Sequence, residues 1–203
     1  MMKQLQYLVA AGAISLALTA GPLAAGEKNT FTMQLSAGAK TCLKNATATV
    51  SIRPSAAVDV MSIDVDGLPV NTNFNVFVIQ VPKSPFGVAW YQGDLVTDKN
   101  GHAHQEFIGR FNIETFSTAQ GPAPAPIVFD GPFPDAAFNP VFNPIQMYHL
   151  GVWFDSPTDA QNATCPATVT PFGGNHQAGL QVFNTANFPD DHGPLKDTAV
   201  TTK

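Results

Sequence analysis

The run at residues 73–81, NFNVFVIQV, constrains this chain more than any other stretch. Side chains alternate along a strand, so Phe74, Val76 and Val78 point to one face and Phe77, Ile79 and Val81 to the other. A strand that is apolar on both faces has to be covered on both sides, which predicts a sheet with a further layer packed over it. Its surroundings, residues 61–116, contain four apolar runs of strand length separated by turn-forming residues.

The same alternation recurs along the chain. It predicts strands over residues 30–35, with Phe31, Met33 and Leu35 on one face, and over 46–53, with Ala46, Ala48, Val50 and Ile52 inward. A strand over 58–65 changes apolar phase between Val60 and Met61, which predicts a bulge or a change of covering layer there. Asp98-Lys99-Asn100-Gly101 reads as a hairpin turn joining a strand over 89–97 to one over 102–108. Further strands are expected over 127–129, 146–154, 168–170 and 179–184. Ser156-Pro157-Thr158-Asp159 has an N-cap serine and a first-position proline, so one short helix is expected from there to about residue 164.

Many short strands, turn signals and a single helix predict an all-β fold: an antiparallel β-sandwich, Ig-like or jelly-roll in broad class. No strand-helix-strand alternation is present, which argues against a nucleotide-binding sheet. Within the domain, residues 117–145 form a long Pro-rich loop, because Pro122, Pro124, Pro126, Pro132, Pro134, Pro140 and Pro144 exclude long regular structure. Phe129, Phe133, Phe138 and Phe142 make this loop too apolar for a solvated linker. Two outcomes are open for it. The phenylalanines fold back as a lid, burying Phe133 and Phe138, or Phe133, Phe138 and Phe142 anchor in a partner's pockets.

Residues 1–25 read as a secretory signal peptide: Lys3, an apolar run over 5–20, then the small residues Ala24, Ala25 and Gly26. The domain then spans 26–188 and a polar C-terminal tail 189–203. No segment of the mature chain reads as a membrane span. With 10 Lys and Arg against 15 Asp and Glu and no basic stripe, nucleic acid is not an expected partner. Cys42 and Cys165, an even pair in an exported chain, are expected to form a disulfide. Localisation is therefore expected to be extracellular or periplasmic.

Several stretches, GLPVNTNFNVFVIQVP, FGVAWYQGDLVTDKNG, FIGRFNIETF, YHLGVWFDSPTDA and AGLQVFNTANFPDDHGPL, resemble a group of uncharacterised exported bacterial proteins. The GLPVNT turn followed by an apolar strand is also similar to Ig-like extracellular modules. The resemblance covers about two thirds of the chain. It implies export and a β-sandwich, and no activity or site residue.

Three constellations are candidates for chemistry. His102 and His104 share one face of their strand, the spacing of a copper or zinc pair, with His149 or His176 as the available third ligand. No G-x-S-x-G elbow is present, so no catalytic residue is assigned, although Asp94, Glu106, Glu114 and Asp155 are available as a carboxylate pair for glycoside chemistry. Trp90 and Trp153 fall beside Gln92, Asp94 and His149, either stacking on a sugar ring or covered by a second layer. The resulting expectation is an exported non-catalytic module, structural or binding an extracellular macromolecule, with no cofactor. The alternatives are a small secreted copper- or zinc-binding protein using His102 and His104, and a secreted hydrolase.

Overall fold

A computed structural model describes residues 27–119 and 143–201. The expected signal peptide, the expected strand at 127–129, and Phe133, Phe138 and Phe142 lie outside the described residues.

Among the described residues the chain is all-β with one short α-helix. Its strands are β1 (Asn29–Leu35), β2 (Thr47–Arg53), β3 (Asp59–Asp66), β4 (Asn73–Ile79), β5 (Ala89–Val96), β6 (Ala103–Gly109), β7 (Phe116–Ala119), β8 (Asn143–Gln146), β9 (His149–Phe154) and β10 (Gln181–Asn184). The helix α1 covers Pro157–Asn162, and the Ser156 hydroxyl caps it by accepting from the Asp159 amide. Eight strands form one antiparallel sheet in the order β5-β4-β9-β10-β1-β2-β3-β6, and β7 pairs with β8.

Strand β1 joins the two halves of the large sheet. Its first residues, Asn29 to Met33, pair with β2, while Gln34 and Leu35 pair with β10. The sheet curls on itself around the main core. Met61, Ile63 and Val65 of β3 and Phe107 of β6 face Phe74, Val76 and Val78 of β4, and Leu150, Val152 and Phe154 of β9, in one buried cluster. The alternation read from residues 46–53 is what the fold uses: Ala48, Val50 and Ile52 are buried, while Thr47, Thr49 and Arg53 are exposed.

The turn at Asp98–Gly101 forms as expected, but it does not close a hairpin. Asp98 Oδ1 accepts from the Asn100 and His102 amides at 2.8 and 3.0 Å. Beyond it the strands part: β5 pairs with β4 and β6 with β3, so the turn joins opposite edges of the sheet. The bulge expected near Val60 is absent, since β3 runs in unbroken register with both β2 and β6. Val60 simply faces outward. The segment 168–170 is not a strand but contributes a single bridge, Thr170 to Ala178. The tail expected to be polar docks instead: a 3-10 turn at Pro194–Asp197 buries Leu195 in the main core, and Asn29 Nδ2 holds the Pro194 carbonyl at 2.9 Å.

Cys42 and Cys165 are bonded, with Cα atoms 5.3 Å apart across a sequence separation of 123. The bridge ties the 3-10 turn after β1 to the segment after α1, and a structural disulfide fits an oxidising compartment.

Candidate functional site

The second face of β4 is covered by loops rather than by a second sheet. Phe77 and Ile79 lie there with Trp153 and Ala178 in a small core separate from the main one. Two closed loops supply its roof. In the first, the Gln80 amide donates to the Val88 carbonyl at 2.8 Å and the Val81 amide to Phe86 at 3.1 Å, which ends β4 at Ile79 and carries Phe86 back over the sheet. In the second, the Thr170 amide donates to Ala178 at 2.7 Å and the Ala178 amide to Phe172 at 3.0 Å, folding Phe172 inward.

Trp153 is the pillar of this layer. It is fully buried, and its ring meets Phe86 at 5.2 Å, Phe77 at 5.5 Å and Phe172 at 5.0 Å between centroids. These are ordinary spacings for favourable edge-to-face pairs. The indole lies across Gly151, where a Cβ would stand 2.3 Å from Trp153 Cζ3. Glycine is required there for that close approach.

Beside this layer opens a groove of about 860 Å³, floored by Asn75, Phe77 and Tyr91 and walled by Phe172, Gly173 and His176. Its composition follows from a bulge in β5. Val76 pairs with Gly93, but Phe77 pairs with Tyr91, so Gln92 is the extra residue. In a regular strand Tyr91 and Asp94 would face opposite ways; the bulge turns both toward the groove. Gly93, at φ +150°, is the residue that permits it, and a Cβ there would also strike the Phe107 ring of β6 at 2.8 Å.

Tyr91 is half exposed and packs edge-on against Phe77 at 5.6 Å. Desolvation and the nearby carboxylates of Asp94 and Asp155 push its phenol up to about 12. Asp155 follows β9 and is held by its amide on the Asn73 carbonyl at 3.2 Å. Asn75, 3% exposed, sits between Asp94 and Trp153 in the sheet register and lines the groove floor. The site therefore offers an aromatic surface edged by two carboxylates, a carboxamide and an imidazole. Among the described residues no Lys or Arg lines it.

The sequence candidates are distributed as follows. Of the four carboxylates, Asp94 and Asp155 share this groove. Glu106 lies on the outer face of the opposite half, bound to Arg53 Nη2 at 2.8 Å and Ser62 Oγ at 3.2 Å, and Glu114 is on an exposed turn. His102 and His104 are exposed, and His104 Nδ1 is 2.6 Å from Asp64 Oδ1. His149 does not join them: it is buried on β9, with Nε2 donating to the Pro189 and Asp190 carbonyls at 3.1 and 3.2 Å and Nδ1 accepting from the Thr185 hydroxyl at 2.8 Å. His176 lines the aromatic groove instead. Among the described residues, no group of three or more His, Cys, Asp or Glu is placed to hold a metal ion. Trp153 is covered, and Trp90 faces the main core with its Nε1 donating to Gln92 at 3.2 Å, so neither stacks on a ligand from this face. Tyr91, Asn75 and Phe172 were not singled out in the sequence. The available signal was Gly93 inside a strand, which marks a bulge.

Fold and site together define an all-β protein with an aromatic groove on the outer face of its sheet. No protein-family model matches the chain, no curated protein matches it, and no solved structure matches it. Among the described residues, no helix is long and apolar enough to cross a membrane.

Proposed function

We propose that the chain is an exported β-sandwich module that binds a carbohydrate outside the cytoplasm, in the groove over β4 and β5, without cutting it. The observation that carries this reading is the pairing of Tyr91 and Asp94 on one face. The bulge presents a half-exposed ring, packed edge-on against Phe77, beside acceptor-rich side chains. A sugar needs this combination: an apolar ring face to stack against an aromatic, and hydroxyl donors around its rim to meet carboxylate and amide oxygens.

Export is supported by the apolar N-terminal run, the disulfide, and the resemblance to exported bacterial proteins. The sandwich reading is supported by β1, which divides its pairing between β2 and β10 and so turns a corner in the sheet.

A glycan array followed by titration of the tightest hit tests the proposal. Tyr91→Ala should weaken binding about tenfold or more, as loss of a central aromatic contact does, while Tyr91→Phe keeps most of it. Binding that is indifferent to Tyr91→Ala overturns the assignment.

A second reading, a glycoside hydrolase, is favoured by Asp94 and Asp155 lining one groove. Release of reducing ends from the bound glycan, abolished by Asp155→Asn, would replace the binding module with the hydrolase.

A further inference from the structure

We infer that the groove continues into a second, basic subsite, and that the glycan it takes alternates neutral and acidic residues. This rests on the carbohydrate reading above and specifies its ligand. A depression of about 680 Å³ lies on the β10 and β1 side of the same face, and Pro171 borders both it and the aromatic groove. Pro171 stands between them.

The two depressions carry opposite charge. The first is lined by Asp94 and Asp155, and the second by Lys40 and Lys83 with no carboxylate among its described lining residues. Lys40 comes from the 3-10 turn after β1 and Lys83 from the loop after β4, so two distant segments bring positive charge to one place. Both lysines are exposed, and among the described residues neither is in an ion pair.

The floor between them is built rather than merely polar. Gln34 Nε2 donates to Asn184 Oδ1 at 3.4 Å, Asn184 Nδ2 to Gln181 Oε1 at 3.0 Å, and Gln181 Nε2 to the Pro82 carbonyl at 3.2 Å. Gln181 and Asn184 are 9% and 3% exposed, so this amide chain is fixed before any ligand arrives.

The segregation of charge selects among polymers. An acidic sugar over the amide floor pairs its anion with Lys40 and Lys83. Its neighbour across Pro171 meets Tyr91, Asp94 and Asp155, where a second anion would face like charge. A polymer acidic at every residue is therefore disfavoured, and a wholly neutral one leaves both lysines unused.

Three probes of equal length test this by calorimetric titration: an oligosaccharide alternating glucuronate with N-acetylhexosamine, the same chain with its carboxylates reduced to alcohols, and an oligogalacturonate. A sulfated form of the alternating chain distinguishes sulfate from carboxylate as the preferred anion. The alternating chain should bind about tenfold tighter than its reduced form at low salt, the sum of two exposed charge pairs, and the gap should close as salt is raised. Lys40→Gln with Lys83→Gln should remove that preference without weakening the reduced chain. Equal binding of the alternating and reduced chains, tightest binding of the oligogalacturonate, or a lysine variant that loses both chains alike would overturn the inference. If the reduced chain binds through Tyr91 while the lysines change nothing, the carbohydrate reading survives and this one fails. Binding of none of the probes would overturn it as well.

Discussion

Replacing Gly151 by Ala should damage this protein through one contact. The added Cβ would lie 2.3 Å from Cζ3 and 2.4 Å from Cη2 of Trp153, well inside van der Waals contact. The backbone cannot yield easily, because Gly151 pairs with Phe77 on one side and with Asn184 on the other. The indole cannot yield either, wedged against Phe77, Phe86 and Phe172. Overpacking of this kind costs about 1–3 kcal/mol. Losing glycine's freedom in the unfolded chain returns about 0.4–1 kcal/mol, so the net loss should fall between about 0 and 2.6 kcal/mol, centred on about 1.3 kcal/mol. Urea titration measures it as a lower midpoint at unchanged slope. Gly174→Ala is the matched control, since no atom lies within 4 Å of its Cβ; it should stay within about 0.5 kcal/mol of the parent. A Gly151→Ala variant as stable as the control would mean that Trp153 does not lie across β9, and the aromatic layer under the groove would have to be redrawn.

Other outcomes follow from the same structure. Replacing Cys42 and Cys165 together by Ser should cost about 4–5 kcal/mol, the chain entropy of so long a loop, read as a shift in denaturant midpoint; a shift below about 1 kcal/mol would contradict it. Burial holds the His149 imidazole below its ordinary range. The unfolded chain takes up that proton near 6.5 and the folded chain resists it, so stability is complete above about pH 6.5 and falls as pH drops below it. His149→Gln should flatten that part of the pH profile, and a parent midpoint that rises on acidification would refute the assignment. Tyr91 and Tyr148 are both pushed up by burial, Tyr91 to about 12. Phenolate absorbance of folded protein lacking residues 1–26 should therefore lag that of unfolded protein, and normal titration near 10 would show that neither ring is held as described.

The strands were legible because their chemistry is local. Alternation in β1, β2 and β4 marks which side chains go inward, and the Ser156 cap announces α1 at its first residue. The turn at Asp98 was legible too, from Asn100-Gly101, but its partners were not. A turn fixes where the chain reverses, while pairing is decided by which edges the curled sheet leaves open, and that depends on residues far away in sequence. The groove was hidden for a related reason. Reading β5 as a regular strand puts Asp94 beside Trp90, whereas one inserted residue at Gln92 reverses the faces and sets Asp94 beside Tyr91. Phe86 and Phe172 sit in segments without periodicity, so nothing local shows that both close over Trp153. The disulfide was legible from arithmetic, because two cysteines in a chain read as exported leave one pairing.

The most direct test of the account is to see where a bound glycan touches the protein. Backbone amide shifts of isotope-labelled protein, followed during titration with the tightest-binding oligosaccharide, report this residue by residue. The account predicts that the largest changes fall on Asn75, Tyr91, Asp94, Asp155 and the loop from Gly173 to His176. Changes centred instead on Thr49, Asp64 and His104, on the outer face of the opposite half of the sheet, would contradict it.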